Sequence, residues 1–333
     1  MDVKFSEIIQ KLPDKIEHIL LKTPIDIQKN AREIRLRAGR KICVIYENKL
    51  YSVNKILDSA EIQECFKSIC GYSVHTHLHE IIHGFITMSG GHRAGLAGTA
   101  IYDENNKLIN LRAISSINLR ISRQICGVAQ ELIDILGGEL GKLLIVGAPA
   151  SGKTTLLTDI VKHLGCRTVS VVDSRGEIAS CLNGIPQHNV GNADVFDCWN
   201  KEDAIVSAIK AMSPEFIVCD EIGNEADIKA VEACVGAGVE LIATAHAGNF
   251  QDMVKRNVIK KILKTGAFEN IAILKGKFEP CKVESIVKVS ELFARAGHSD
   301  FGDLSRDYGD ITLCEFKNEP KANREINTIS KLD

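Results

Sequence analysis

Two stretches of the sequence have the residue types and spacing of known chemical sites, and they predict different chemistries. HLHEIIHGF, residues 77–85, contains His79, Glu80 and His83 in the order H-E-x-x-H. In zinc peptidases this spacing places two histidine ligands on one turn of a helix, with a glutamate general base between them. GAPASGKT, residues 147–154, instead fits the phosphate-binding pattern G-x-x-x-x-G-K-[ST].

The phosphate-binding pattern lies where such a loop has to lie, between the apolar run KLLIVG and a segment with helical periodicity. Its glycines let successive N–H groups turn toward phosphate oxygens at the start of a helix. Lys153 can reach the β- and γ-phosphates, and Thr154 can ligate Mg²⁺ through its hydroxyl. We therefore predict a site for ATP and Mg²⁺ that is formed by Gly147, Ala148, Pro149, Ala150, Ser151, Gly152, Lys153, Thr154 and Thr155.

Charged residues follow the other apolar runs, at the edge where parallel sheets bind ligands. In FIVCDEIG, Asp220 would hold Mg²⁺ through its water shell, and Glu221 would orient or deprotonate the attacking water. His246 ends the next run, where it could sense the γ-phosphate or serve only as hydrogen-bonded structure. In VVDSRGEI, Asp173 and Glu177 could polarise the same water network or cap a helix.

The zinc-peptidase pattern has weaker support from its surroundings. Gly84 follows His83 directly and a hairpin signal begins there, so any helix that carries the motif would be short. No third metal ligand is legible downstream. A zinc metallopeptidase that uses His79, Glu80 and His83 is therefore a minor alternative.

The composition favours a globular protein with no general attraction for nucleic acid. The 333 residues have a net charge of −2 and are 45% hydrophobic. The basic stretch REIRLRAGRK, residues 32–41, alternates with apolar residues and indicates a solvated strand face, so no nucleic-acid partner is expected. Eleven cysteines without a C-x-x-C pair indicate reduced thiols in the cytoplasm. No apolar run approaches the roughly 18 residues that span a bilayer, so we expect membrane contact through partners only.

The elements that must position these residues fall into two groups. Residues 1–125 contain short helical periods, alternating runs and a hairpin signal at Gly90-Gly91, which predict a small α+β N-terminal domain. In residues 126–295, apolar runs alternate with helical segments, which predicts an α/β domain with a mostly parallel sheet. The four apolar runs are residues 142–147, 168–173, 215–221 and 239–247. Residues 296–333 are polar, and we predict a loosely ordered tail there.

Six segments of the chain closely resemble the stage III sporulation protein AA family, which is related to the ATPases of type II and type IV secretion systems. They are EIRLRAGRK, GGHRAGLAG, SSINLRISR, GAPASGKTT, PEFIVCDEIG and ATAHAG, and the resemblance covers roughly residues 30–290. It implies a RecA-like P-loop ATPase domain and a homohexameric ring at the cytoplasmic side of a membrane. It also implies Mg²⁺-dependent ATP hydrolysis that drives or assembles a channel complex between mother cell and forespore. A nucleotide-dependent scaffold with little turnover is the alternative.

The resemblance also implies a role for arginines of the N-terminal domain. In secretion ATPases the nucleotide lies between the two domains, and arginines of the first domain reach the phosphates. The matching residues are Arg93 in GHRAG and Arg120 and Arg123 in NLRISR, which either stabilise the transferred phosphoryl group or are exposed strand arginines. The acidic motif of the family matches DSRGEI, where Ser174 stands beside Asp173 in place of an expected acidic residue.

Overall fold

A computed structural model describes residues 2–296, which form two β-sheets with their own helices and hydrophobic cores. The tail that the sequence predicts over residues 296–333 lies, apart from Ala296, outside the described residues. Between residues 2 and 296, no helix combines the length and the apolar character that crossing a bilayer requires.

The first sheet has six antiparallel strands in the spatial order β3-β2-β1-β6-β5-β4. Its strands are β1 (Ala31–Arg37), β2 (Lys41–Tyr46), β3 (Lys49–Ile56), β4 (Phe85–Thr87), β5 (Arg93–Tyr102) and β6 (Leu108–Arg120). Its helices are α1 (Val3–Ile9), α2 (Asp14–Leu20), α3 (Ile25–Asn30), α4 (Ser59–Ile69) and α5 (Leu78–Ile82).

The alternation of apolar and charged residues along these strands decides which face of the first sheet is buried. Ile34 of β1 and Leu119 of β6 pair across the sheet, and both are fully buried in the core that the helices cover. Because successive side chains of a strand point to opposite faces, Arg35 and Arg120 lie on the other face. The arginines of the first sheet are therefore kept away from its core.

The second sheet has seven strands in the order β13-β12-β7-β11-β10-β8-β9, and every neighbouring pair is parallel except β12–β13. Its strands are β7 (Leu143–Gly147), β8 (Val169–Asp173), β9 (Asp194–Asp197), β10 (Phe216–Cys219), β11 (Glu240–His246), β12 (Asn270–Leu274) and β13 (Val283–Lys288). Its helices are α6 (Gln130–Ile135), α7 (Lys153–His163), α8 (Lys201–Ala211), α9 (Glu225–Ala237), α10 (Phe250–Lys255), α11 (Asn257–Lys264) and α12 (Val289–Ala296).

The central strands β7, β8 and β10 are buried along their whole length, as expected for a parallel sheet that helices cover on both faces. Along β7, Leu144 and Val146 face the core that includes α8 to α11, while Leu143 and Ile145 face the core that includes α7. The four predicted apolar runs are the strands β7, β8, β10 and β11. Their carboxyl ends meet at one edge, where a ligand site can form.

Candidate nucleotide-binding site

The phosphate-binding pattern forms the loop between the end of β7 and the start of α7. Gly152 has a left-handed φ of 87°, and a Cβ there would lie 2.7 Å from the backbone nitrogen of Cys281. A Cβ on Gly147 would lie 2.3 Å from the Ser151 Oγ. Only glycine therefore fits at position 152, and a larger residue at position 147 would require Ser151 to move. As at the start of any helix, the first N–H groups of α7 have no intrahelical acceptors. Such a cradle suits a phosphate group.

Lys153, the first residue of α7, is half-buried and bends back over this loop. Its Nζ donates to the carbonyl oxygens of Gly147, at 2.9 Å, and Ala148, at 3.0 Å. Burial lowers the pKa of Lys153, while the nearby Asp220 and Glu221 carboxylates raise it. Because an anion binds an ammonium group more strongly than a carbonyl does, Lys153 can exchange these partners for phosphate oxygens.

Asp220 is buried at the end of β10, beside the start of α7. Its Oδ1 accepts a 2.6 Å hydrogen bond from the hydroxyl of Thr244 on β11, and its Oδ2 lies 3.4 Å from the Thr154 Oγ1. The parallel pairing of β10 with β11 sets this geometry. Thr154 and Asp220, which the sequence predicts as metal ligands, are thus neighbours, and their oxygens are of the kind that Mg²⁺ prefers. Thr244 was not predicted; its only signal is a hydroxyl within an apolar run.

Glu221 follows Asp220 with an unusual left-handed φ of 42°. Its N–H donates to the Thr244 Oγ1 at 2.8 Å, and its carbonyl accepts from the Lys201 Nζ at 2.5 Å. Its carboxylate forms an ion pair with the guanidinium of Arg175, in the loop after β8. A non-glycine residue in this backbone region stores strain of the kind that is frequent at functional sites. Neither Lys201 nor Arg175 was predicted from the sequence as a site residue.

Three further predicted residues lie at this edge: His246 at the end of β11, Asp173 at the end of β8 and Glu177 in the loop after β8. The Nδ1 of His246 lies 3.4 Å from the Lys153 Nζ, and burial, followed by that ammonium group, lowers the pKa of the imidazole. Asp173 is fully buried, and its carboxylate accepts from the N–H groups of residues 177, 178 and 179, which lie in the loop after β8 and not at the start of a helix. Burial, followed by Asp220, raises the pKa of Glu177.

The three predicted arginines have different surroundings. Strand pairing places Arg93 directly opposite Arg120. Arg93 donates to the carbonyls of the β8 loop, and Arg123 is bound by the Asp2 carboxylate, at 2.8 and 3.1 Å. The side chain of Arg120 has no hydrogen bond or ion pair to any residue between 2 and 296. It lines a cavity of about 310 Å³ between the two sheets, together with Thr154 and Thr155.

Residues 2–291 match the family model described as "Sporulation stage III, protein AA". The chain belongs to the stage III sporulation protein AA family. It is 34% identical over 290 residues to the Stage III sporulation protein AA of Bacillus subtilis (strain 168), which is 84% of this chain and 94% of the relative. A more distant relative is Protein SEEDLING PLASTID DEVELOPMENT 1 of Arabidopsis thaliana, 28% identical over 48% of this chain and 24% of that protein.

The fold of this family member is also that of a solved ATPase and of a solved pilus retraction motor. The Legionella pneumophila ATPase DotB superposes with a TM-score of 0.51 at 20% identity, covering 79% of this chain and 76% of that chain. The pilus retraction motor PilT with bound ADP gives a TM-score of 0.54 at 15% identity, covering 82% and 78%. These likenesses confirm the predicted fold class: a RecA-like domain with a mostly parallel sheet, preceded by a smaller α+β part.

In this family member the H-E-x-x-H segment is part of the scaffold of the first sheet. Helix α5 has only five residues, and the rings of His79 and His83 pack edge to face with their centroids 4.8 Å apart. The Glu80 carboxylate accepts from the N–H of Thr87, at 2.8 Å, and from the Nδ1 of His77, at 2.6 Å. Between residues 2 and 296, no group of three His, Cys, Asp or Glu side chains is arranged to hold a metal ion. The bond between Glu80 and Thr87 joins α5 to β4.

Proposed function

We propose that the chain hydrolyses ATP with Mg²⁺ at the edge of the second sheet, under the first sheet. The observation that supports this most is the convergence of Lys153, Thr154, Asp220 and Glu221 at the carboxyl ends of β7 and β10. A P-loop alone would indicate phosphate binding. The buried carboxylate beside Thr154, followed by a second carboxylate, adds groups for metal binding and for the activation of water.

Each group has a separate task in this proposal. The amides of the loop and Lys153 would hold the triphosphate, and Thr154 and Asp220 would hold Mg²⁺, which neutralises charge on phosphate oxygens when bound. Glu221 would orient or deprotonate the attacking water. Arg120 belongs to the first sheet and lines the cavity beside Thr154 and Thr155. It would stabilise negative charge that develops on the transferred group.

We further propose that the protein works as a homohexameric ring in the cytoplasm, peripheral to a membrane, and drives or assembles a sporulation channel complex. Membership of the stage III sporulation protein AA family supports the sporulation role, and the fold shared with DotB and PilT supports a secretion-ATPase-like machine. Residues 1–125 and 126–295 would be the two domains that move relative to each other. The channel subunits that it contacts would be membrane-embedded partners.

Calorimetry tests the nucleotide site directly. The wild-type chain is titrated with ATP and Mg²⁺, and Lys153→Ala is titrated as the matched variant. We expect heat of binding for the wild type and a loss of at least about tenfold in affinity for the variant, because the variant lacks the ammonium partner of the phosphates. The absence of heat from any nucleoside triphosphate with folded wild-type protein would contradict the proposal.

The pairing of Glu221 with Arg175 also suits the second candidate, a nucleotide-dependent scaffold with little turnover, because the carboxylate is engaged in this conformation. Sedimentation with and without a non-hydrolysable ATP analogue measures ring assembly, and phosphate release from the assembled ring measures turnover. Assembly with ATP but without phosphate release would favour the scaffold over the motor.

A further inference from the structure

The loop after β8 lies between the first sheet and the candidate catalytic glutamate. Arg93 of β5 reaches this loop and donates through its Nη2 to the carbonyl oxygens of Arg175, at 2.6 Å, and Gly176. The Arg93 guanidinium also lies over the ring of Phe85, 4.7 Å from its centroid. The side chain of Arg93 is only 16% exposed. Arg93 therefore attaches the β8 loop to β5.

The same loop also contacts Glu221, through the side chain of Arg175. Arg175, whose carbonyl accepts from Arg93, extends its own guanidinium to the Glu221 carboxylate. The contacts thus run in sequence from Arg93 in the first sheet, through the backbone of the β8 loop and the Arg175 side chain, to Glu221. None of the site residues predicted from the sequence bonds to the Glu221 carboxylate within residues 2–296.

Glu221 can change partners without a movement of its backbone. Its N–H is bound by Thr244 and its carbonyl by Lys201, so both ends of its peptide units are anchored while the side chain remains partly exposed. The side chain of Glu221 is thus the part of this residue that is free to take another partner if the Arg175 guanidinium moves away.

We propose that Arg175 is a positioning residue that restrains the Glu221 carboxylate, and that Arg93 acts through it by fixing the β8 loop. A shift of the first sheet against the second would move the loop, withdraw the guanidinium and release Glu221. This inference rests on the proposed function, in which Glu221 acts on the attacking water. It gives Arg93 a role at the loop and leaves Arg120, whose side chain has no hydrogen bond or ion pair within residues 2–296, to act from the cavity beside Thr154 and Thr155.

Steady-state kinetics of Arg175→Gln is the first test. Because the Arg175–Glu221 pair is partly exposed, we expect its loss to raise kcat by about two- to fivefold with little change in KM. Arg175→Lys keeps the charge and is expected to return kcat toward the wild-type value. Arg167→Gln is the matched control, since it removes a similarly exposed arginine–glutamate pair, Arg167–Glu215, that does not contact Glu221. An unchanged or lower kcat in Arg175→Gln overturns the inference.

A double-mutant cycle tests the part played by Arg93. If Arg93 acts through the β8 loop, Arg93→Gln raises kcat as Arg175→Gln does, and the double variant rises no further. Additive effects would place Arg93 outside this pathway and overturn that part of the inference. Should Arg93→Gln fail to fold, Arg93→Lys replaces it, because lysine keeps the positive charge but lacks the planar guanidinium that lies over Phe85.

The single tryptophan of the sequence provides a readout that is independent of turnover. Trp199 lines a cavity of about 460 Å³ together with Arg175 and Glu221. We expect a non-hydrolysable ATP analogue to change the emission of Trp199 in the wild type. Nucleotide-free Arg175→Gln should already resemble that bound state, and Arg167→Gln should not. Identical nucleotide-free spectra for Arg175→Gln and the wild type overturn the inference.

The outcomes separate the inference from the proposed function. A wild-type ring that binds and hydrolyses no nucleotide overturns both. A wild-type ring that hydrolyses ATP, together with Arg175→Gln and Arg167→Gln variants that share its kcat and its emission, overturns only the restraint on Glu221.

Discussion

The carboxylate of Glu221 stands where a β-strand ends beside a phosphate-binding loop, and this position defines its test. Glu221→Gln keeps the size of the side chain and removes its capacity to act as a base. We expect turnover to fall by about 10²- to 10³-fold with little change in nucleotide affinity. Phosphate release measures the first quantity and calorimetry the second. Full turnover in this variant would remove Glu221 from the mechanism.

The three arginines of the first sheet can be separated by what each one contacts. All three line the cavity beside Thr154 and Thr155, but within residues 2–296 only the Arg120 side chain has no hydrogen bond or ion pair there. We therefore expect Arg120→Gln to lower kcat by about tenfold or more, on the order expected for an arginine that contacts the transferred group, with little loss of stability.

Arg123 is expected to behave in the opposite way. Its guanidinium binds both oxygens of Asp2 and the carbonyl of Gln28, which joins the end of β6 to the start of α1. Arg123→Gln should therefore lower the free energy of unfolding by about 1–3 kcal/mol. Denaturant titration and steady-state kinetics on Arg120→Gln and Arg123→Gln check the two predictions. A stable Arg123→Gln variant with lost turnover would reverse the two roles.

At the scale of elements, the segment between β8 and β9 contacts the connection between the two sheets. The contacts are made by His188 and Asn189 on the one side and by Ser122 and Gln124 on the other. The hydroxyl of Ser122 donates to the Nε2 of His188, at 2.8 Å, while the Nδ1 of His188 donates to the carbonyl of Ile178. Gln124 and Asn189 exchange two further hydrogen bonds. His188 is therefore held at both ring nitrogens and cannot move aside without breaking one of these bonds.

The close approach of His188 to a glycine of the first sheet gives an element-scale prediction. A Cβ on Gly91 would lie 2.7 Å from the His188 Nε2, whereas a Cβ on Gly39 would meet nothing within 4 Å. Gly91 and Gly39 both have a left-handed φ, 77° and 72°, so an alanine would be strained in its backbone to a similar degree at either position. We expect Gly39→Ala to cost about 1–2 kcal/mol of stability and Gly91→Ala clearly more. Equal losses in thermal or denaturant unfolding would contradict a rigid contact.

At the scale of the whole molecule, a buried histidine links the first helix, the first sheet and the connection between the sheets. The Nδ1 of His92 accepts from the N–H of Ser122 at 3.0 Å, and its Nε2 lies 3.3 Å from a Glu7 oxygen. Burial, followed by the positive charge of Lys4, lowers the pKa of His92 from 6.5 to about 4, although Glu7 raises it and Arg123 lowers it further. The folded chain therefore contains neutral His92.

This lowered pKa predicts acid sensitivity. The unfolded chain binds a proton at His92 near pH 6.5, whereas the folded chain binds it only near pH 4. The stability that neutral His92 contributes is therefore fully present above about pH 6.5. It is lost as the pH falls toward 4, by on the order of 1–3 kcal/mol. Denaturant unfolding at pH 7 and pH 5 measures the loss. In His92→Gln the difference between the two pH values should shrink, and an unchanged difference would place the sensitivity elsewhere.

Local sequence patterns determined much of this molecule. The phosphate-binding loop, the strands β7, β8, β10 and β11 and the polar faces of the first sheet follow from spacing and periodicity, because a glycine bend and a strand's alternation depend on adjacent residues. The strand β9 was missed, since four residues with aspartate at both ends carry little periodic signal. Asp220 and Glu221 were placed at the ligand edge because they directly follow an apolar run.

The tertiary structure decided which side chains meet. Thr244 contacts Asp220 only through the register of two parallel strands, and Arg175 reaches Glu221 only through the path of the β8 loop. Likewise, the sequence could not rank Arg93, Arg120 and Arg123, because their partners come from other elements of the fold. Local pattern specifies an element and the face it buries, whereas the partner of an exposed charge is set by packing between residues far apart in the chain.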